Sequence, residues 1–329
     1  MRLILSGGTG FVGRNLILAA IRTGRYSTIL APVRDPEKLR RQLAEESLDT
    51  STVRPLPWDA PLPDEPIDHA VHCAGILFAR NLAAYREVNV TASQAFIRKL
   101  PPAARLVVLS SQSAGGPTPA HSSARSMTDP DAPITWYGSS KCEMEKMVRA
   151  LRPDALILRP PMILGPRDQA TLPLFRMAAQ PIRVKPGIRP KHYSWIAASD
   201  LVDAILRVFE DPIWTQAAGR ALYAAAPESI SDIGLIAAAA RALRKTGATL
   251  PLPHPLLRAA SWFIDAVPAL QASIPSLTRD RVREIFPNRW VLDTAPFQSL
   301  LPSGQLFASL ETTLAETLAW YRARQQLPN

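Results

Sequence analysis

Cysteine is nearly missing from this chain: Cys73 and Cys142 are the only two in 329 residues. That excludes a disulfide framework and a structural zinc site, so no metal is expected, and it fits a reducing cytoplasm. Long apolar runs are missing as well. No stretch approaches the roughly 20 residues that cross a bilayer, so no integral membrane segment is expected. The short run Leu3-Ile4-Leu5 is interrupted by glycines before it could serve as a secretory leader. Repeats and low-complexity tracts are absent. The formal net charge is +10, yet the arginines are scattered and no nucleic-acid motif accompanies them. The expected partner is therefore a small molecule, not a nucleic acid. What remains is a globular composition, 47% hydrophobic and 20% charged, long enough for one large domain or two modest ones.

The stretch that organises the chain is Gly7-Gly8-Thr9-Gly10-Phe11-Val12-Gly13. It follows an apolar strand and leads into Phe11, Val12, Leu16, Ile17 and Ala20, which recur at helical spacing. A strand, a glycine turn and a helix in that order make a dinucleotide-binding fingerprint. The glycines permit a tight turn, close approach to a pyrophosphate and close helix–strand packing. The helix start offers free N–H groups and a positive dipole end to phosphates. Two templates fit, Gly8/Gly10/Gly13 and Gly7/Gly10/Gly13.

A second strand is predicted over Thr28–Val33, followed by Arg34, Asp35 and Lys38. An acidic residue near this point would hold the adenosine ribose; a cation would hold a 2′-phosphate. A charge-assisted contact is worth about 1.5–3 kcal/mol, so Arg34 and Lys38 favour NADP(H), and Asp35 keeps NAD(H) possible. Asp68–Gly75 reads as a buried strand whose small ending, Ala74-Gly75, lets a cofactor lie over its edge. Within it, His72 and Cys73 read as structural. Leu82–Leu100, with Asn89 inside it, is helical in pattern. Arg105–Leu109 is a continuous apolar strand ending at Ser110-Ser111, the pattern of a parallel sheet covered on both faces. Ligands of such sheets bind beyond the carboxyl ends of the strands.

Tyr137 and Lys141 are four apart at the start of a helix predicted to run to about Leu151, so they share one face. Ionising a free phenol near pH 7 costs about 4 kcal/mol. A nearby ammonium and an oxidised nicotinamide can supply that difference. A serine hydroxyl at the same mouth would hold a substrate oxygen.

With these residues in view, the chain resembles the extended short-chain dehydrogenase/reductase family, also called the NAD-dependent epimerase/dehydratase family. The motifs are the Gly7–Gly13 turn, Asp59 after Trp58, the His72–Gly75 strand end, Asn89, Leu109-Ser110-Ser111, and the Tyr137/Lys141 pair. Further along come Arg159–Pro166, Tyr193–Ile196 with Asp200-Leu201, and Trp320-Tyr321-Arg322. The resemblance implies that Tyr137 donates and accepts the proton, that Lys141 holds the nicotinamide ribose and lowers the Tyr137 pKa, and that Ser111 orients the substrate oxygen. It also places Asp59 at the adenine amine, Pro160, Pro161 and Met162 along the nicotinamide, and Asn89 in the cofactor site. A homodimer is compatible with it. Met162 stands where many nucleotide-sugar enzymes of the family carry an Asn, and Ala114-Gly115-Gly116 replaces an aromatic Tyr-Gly. These departures speak against a nucleotide-sugar substrate, and with apolar segments such as Pro255–Ile264 the chain looks more like the hydroxysteroid-dehydrogenase and dihydroflavonol-reductase-like branch, whose substrates are apolar ketones and alcohols.

The implied architecture is α/β: a doubly wound parallel Rossmann sheet with a smaller C-terminal α/β substrate lobe. Residues 1–165 form the dinucleotide domain, 192–212 pack back onto it, and 166–191 with 213–329 form the lobe. Asp154–Arg159 is expected as the sixth strand. Ser199-Asp200 is expected to cap the helix carrying Leu201, Val202, Ile205, Leu206 and Phe209. The run Arg183, Lys185, Arg189, Lys191, His192 reads as a solvated loop or an anion clamp. The stripe Leu256, Leu257, Ala260, Phe263, Ile264, Val267 reads first as core, then as a substrate lid or membrane-surface helix. Arg279–Glu284 reads as an exposed helix face, and Phe307, Leu310, Leu314, Leu318 and Tyr321 as a final amphipathic helix. The leading function is hydride transfer between a nicotinamide and a carbinol or keto carbon. The alternatives are a nucleotide-sugar epimerase or dehydratase, and a non-catalytic dinucleotide-binding scaffold.

Overall fold

A computed structural model describes residues 1–267, 269–270, 277–302 and 307–327. The chain runs β1 (Arg2–Ser6), α1 (Phe11–Arg22), β2 (Thr28–Val33), α2 (Pro36–Ala44), β3 (Val53–Pro57), β4 (His69–His72) and α3 (Leu82–Arg86). A π-helical turn (Glu87–Ala92) joins α3 to α4 (Ser93–Arg98), followed by β5 (Arg105–Leu109), α5 (Gln112–Gly115), α6 (Trp136–Leu151) and β6 (Leu156–Leu158). The second half holds β7 (Met162–Leu164), α7 (Leu172–Ala178), β8 (Ile182–Pro186), β9 (His192–Ala197), α8 (Ala198–Arg207) and α9 (Asp211–Ala217). Then come β10 (Ala221–Leu222), β11 (Ser229–Ser231), α10 (Asp232–Ala242), β12 (Ala248–Leu252) and α11 (His254–Ala266). A 3₁₀ turn (Arg281–Ile285), β13 (Arg289–Trp290), a short helix (Ala295–Gln298) and a C-terminal helix (Leu310–Ala323) complete it.

Seven strands form a parallel sheet in the order β10-β6-β5-β4-β1-β2-β3. The order reverses between β1 and β4, and that switch point is where an open α/β sheet takes its ligand. Side chains alternate across the sheet. Leu3 and Leu5 of β1, with Val107 and Leu109 of β5, join the core under α1 and α8. Ile4, Leu106 and Val108 face the opposite core, with Phe96 and Ile97 of α4 and Met144 and Val148 of α6. This two-sided burial is what the unbroken apolar strands require. The edge strand β10 comes from residues 221–222, so the sheet draws on sequence beyond the 165 boundary. A third core joins Leu172, Phe175, Leu235, Ala239, Leu314, Leu318 and Tyr321 of the second half.

Four readings of the second half change. Ser199-Asp200 does not cap α8: the N-cap is Ala197, without a side-chain bond, and the Asp200 carboxylate accepts the Ala308 N–H instead. The cationic run is neither a solvated loop nor a clamp, because Arg183, Lys185 and Lys191 are buried. Lys185 pairs with Asp232 at 2.9 Å, and Lys191 Nζ donates to the carbonyls of Ile285, Phe286 and Pro287. The stripe on α11 is not core as a whole: Leu257 and Ile264 are buried, whereas Leu256, Trp262 and Phe263 face outward. Arg279–Glu284 is not an exposed helix face. Asp280 and Val282 are buried, and the segment crosses the start of α6.

Candidate active site

The turn after β1 decides between the two glycine templates. Gly7 has φ +81°, and a Cβ there would lie 2.7 Å from the Ala74 nitrogen. A Cβ on Gly13 would lie 2.2 Å from the Gly7 carbonyl oxygen. Gly10 closes the turn by donating to that same oxygen at 2.9 Å. Gly8 instead faces the core, against Ile17 and Leu39. The turn itself therefore constrains Gly7, Gly10 and Gly13, whereas Gly8 is constrained by packing. No side chain caps α1. The uncapped first-turn N–H groups of this helix suit a pyrophosphate.

From that turn a cavity of about 520 Å³ runs across the carboxyl ends of the strands. It is lined by Gly7, Gly10, Phe11, Val12, Gly13, Gly75, Ser111, Tyr137, Lys141, Pro160, Pro161 and Met162, residues 3-dimensionally joined from across the first half of the chain. Thr9 and Lys38 lie in an adjoining groove with Arg14, Arg167 and Arg324. Arg34 and Asp59 are exposed just past the ends of β2 and β3. Asp35 caps α2 by accepting the Lys38 N–H at 2.8 Å. Ala74 and Asn89 lie behind the cavity. Asn89 is fully buried: its oxygen accepts the Ile76 N–H at 2.8 Å, and its nitrogen donates to Ser140 Oγ at 3.0 Å. The π-helical turn thus ties the Gly75 edge to the first turn of α6.

Thr135 caps α6 by accepting the Gly138 N–H, and the helix delivers Tyr137 and Lys141 to one face. Lys141 is buried, its Nζ donating to the Leu109 carbonyl at 2.7 Å. Burial lowers its pKa to about 8. Burial also pushes the Tyr137 phenol up to about 12. The neighbours that favour its ionised form are the Ser111 hydroxyl and the Arg281 guanidinium. A cation from the second half of the chain also stands close to the ring. Arg281 lies 5.3 Å from the centre of the Tyr137 ring and 5.5 Å from that of Phe78.

Arg281 arrives on a strap. The Asp280 carboxylate accepts the Trp136 N–H at 3.1 Å, and Glu284 accepts from Thr135 Oγ1 at 2.9 Å. Both acids sit at the positive end of α6, where a helix dipole favours them. The pairing of Arg281 with Glu284 leaves its Nε and Nη1 buried without a hydrogen-bond partner among the described residues. Below the serine strand end, Arg159 pairs with Glu145 and Asp131, and Ser110 donates to Glu145. This locks the strand from which Pro160 and Pro161 project. His72 is structural, as its sequence setting suggests. It hydrogen-bonds to Ser6 and Ser93, both at 2.7 Å, and burial lowers its pKa to about 3.

Sequence reasoning missed the far wall of the cavity. Leu77, Ile163, Leu174 and Leu235 line it, together with Asp168 and Thr171. No local signal marks these positions, because separate elements bring them together.

Comparisons with known proteins find relatives along nearly the whole chain. A ceramide reductase of Caulobacter vibrioides is 27% identical over 328 residues, covering 98% of this chain and 95% of the relative. A UDP-glucose 4-epimerase of Vibrio cholerae is 27% identical over 268 residues, covering 76% of this chain and 78% of the relative. Among solved structures, the UDP-glucuronic acid 4-epimerase of Bacillus cereus in complex with UDP-glucuronic acid and NAD superposes with a TM-score of 0.75 at 16% identity, covering 98% of this chain and 100% of that one. The pattern of the NAD dependent epimerase/dehydratase family matches residues 3–217, well over half of the sequence. This chain belongs to that family of enzymes.

Proposed function

We propose that the protein is an NADP(H)-preferring oxidoreductase that interconverts a ketone and a secondary alcohol on an apolar substrate. The observation that carries this is the remaining lining of the cavity: Leu77, Ile163, Leu174 and Leu235, with Asp168 and Thr171 among them, share the cavity with Tyr137 and give the substrate a largely apolar bed. The likeness to a relative named for a lipid, ceramide, over nearly the whole of both chains supports it.

The residues divide the work. A nicotinamide dinucleotide bound along the Gly7/Gly10/Gly13 turn supplies or takes up hydride at the substrate carbon. Lys141 holds the nicotinamide ribose, and Pro160, Pro161 and Met162 fix the ring's place. Ser111 donates to the substrate oxygen. Tyr137 gives its proton to that oxygen in reduction and takes it back in oxidation. Arg281 offsets part of the burial that disfavours the tyrosinate. For the 2′-phosphate, Arg34 and Lys38 supply cations, while the Asp35 carboxylate is engaged as the cap of α2. Residues 166–191 and 213–329 furnish the substrate lobe, apart from the edge strand β10.

The test is a panel of apolar ketones, secondary alcohols and nucleotide sugars with NADPH and NADH. Net NADPH oxidation with an apolar ketone supports the proposal. Epimerised sugar with no net change in coenzyme would replace it by the epimerase reading.

A further inference from the structure

The strand β8 is turned inside out. Its charged side chains Arg183 and Lys185 point inward, Arg183 donating to the carbonyls of Ala178 and Lys245, and Lys185 pairing with Asp232. Its apolar residues Ile182 and Val184 point outward, and Val184 stands in register with the equally exposed Leu250 of β12. A two-stranded ribbon with paired cations inside and bare hydrophobics outside is the reverse of what water favours.

Helix α11 follows directly and adjoins the ribbon's end. The ribbon's tip, Ile188-Arg189, lines one cavity with Pro253, His254 and Pro255 at the start of the helix. Leu256, Trp262 and Phe263 of α11 are 58%, 61% and 64% exposed. Most of the exposed large apolar side chains among the described residues lie on these two elements. The cations around them are exposed too: Arg189 at the tip, Arg258 on the helix, and Arg279, whose guanidinium lies 3.8 Å from the centre of the Trp262 ring.

We propose that the outer face of β8, β12 and α11 docks on an anionic lipid surface. Leu, Trp and Phe on one side of a helix, with arginines at its margin, insert at the boundary between headgroups and acyl chains. Anionic headgroups neutralise the arginines. A second copy of the chain suits the face less well, since a two-fold contact brings the arginine-edged patches of both copies together in a molecule already at +10. The position is also useful. Arg258 of α11 packs over Phe286, at the end of the strap that brings Arg281 to Tyr137, so one short segment links the docked face to the cavity. An apolar substrate then passes from bilayer to cavity without crossing water. That last step rests on the apolar-substrate reading; the docking itself does not.

The experiment is co-sedimentation of the full chain with vesicles of phosphatidylglycerol and phosphatidylcholine in equal parts, and with vesicles of phosphatidylcholine alone. The full chain is expected to pellet with the mixed vesicles and to be released by salt. The combined variant Leu256→Glu, Trp262→Glu, Phe263→Glu is expected to lose about a hundredfold or more in partitioning, with thermal melting unchanged. Arg189→Glu with Arg258→Glu is expected to weaken binding to the mixed vesicles alone, and tests the proposal even if the first variant fails to fold. Absence of vesicle binding by the unaltered chain overturns the proposal. So does binding indifferent to both variants, or a dimer dissolved by the first variant in a chain that ignores vesicles. The assay reads no turnover, so its failure leaves the chemistry at Tyr137 standing, and failure of that chemistry leaves the docking result standing.

Discussion

The guanidinium of Arg281 lies 5.3 Å from the centre of the Tyr137 ring, although 144 positions separate the two residues in the chain. The contact joins the first half of the chain to the strap, and it puts a positive charge beside the phenol proposed to move the proton. Burial raises the phenol to about 12; Ser111 and Arg281 work against that rise.

Removing the charge therefore has a signed consequence. In Arg281→Met the phenol rises further, so the ascending limb of alcohol oxidation, which follows ionisation of the phenol, moves to higher pH and kcat at neutral pH falls. Arg281→Lys restores part of the shift. A kcat–pH profile of the three proteins checks this, and a purely structural role would lower kcat without moving the limb.

Tyr137→Phe keeps the ring and deletes the proton. Turnover is expected to fall by about 10²–10⁴-fold, with coenzyme affinity nearly unchanged. Steady-state rates and a fluorescence titration with NADPH measure the two effects separately.

Coenzyme choice is expected to follow Arg34 and Lys38. Arg34→Glu with Lys38→Glu should lower kcat/KM for NADPH by about ten- to a hundredfold while sparing NADH. Paired kcat/KM measurements report the ratio.

The buried pair Lys185–Asp232 predicts a stability effect. Asp232→Ala strands Lys185 and is expected to cost about 3–5 kcal/mol, read as a lower urea midpoint. Loss of that size would also show that the ribbon's charged inner face is structural.

Much of the site is legible in the sequence because its signals are local. The glycine turn, the serines at the end of β5, and Tyr137 with Lys141 one helical turn on each lie within a single element or junction, where spacing fixes geometry. Even there, the letters leave Gly7 and Gly8 open; only the packing of Gly8 on Ile17 and Leu39 separates them. The strap is illegible for the opposite reason. Asp280 meets the Trp136 N–H across 144 residues of chain, and nothing near either residue announces the other. In the cationic run, a strand's alternation hides which side faces in, so Arg183 and Lys185 look solvated until Asp232 is placed beneath Lys185.

Histidine burial adds a pH dependence. The folded-state pKa values of His72 and His69 are lowered to about 3 and about 4, below an unfolded value near 6.5. Their stabilising effect is complete above about pH 6.5 and is lost as pH falls toward those folded values, at about 1.4 kcal/mol per pH unit for each. Urea melts between pH 7 and pH 4.5 should show the loss, with a shallower slope in His72→Asn.

The most direct measurement of the central claim uses NADPH deuterated at the transferring position with an apolar ketone that the panel identifies as a substrate. The account expects one deuterium on the carbinol carbon for each coenzyme oxidised, and a rate of label transfer lowered by about 10²–10⁴-fold in Tyr137→Phe. Label that stays on the coenzyme while a nucleotide sugar is epimerised, or label transfer undiminished in Tyr137→Phe, would contradict it.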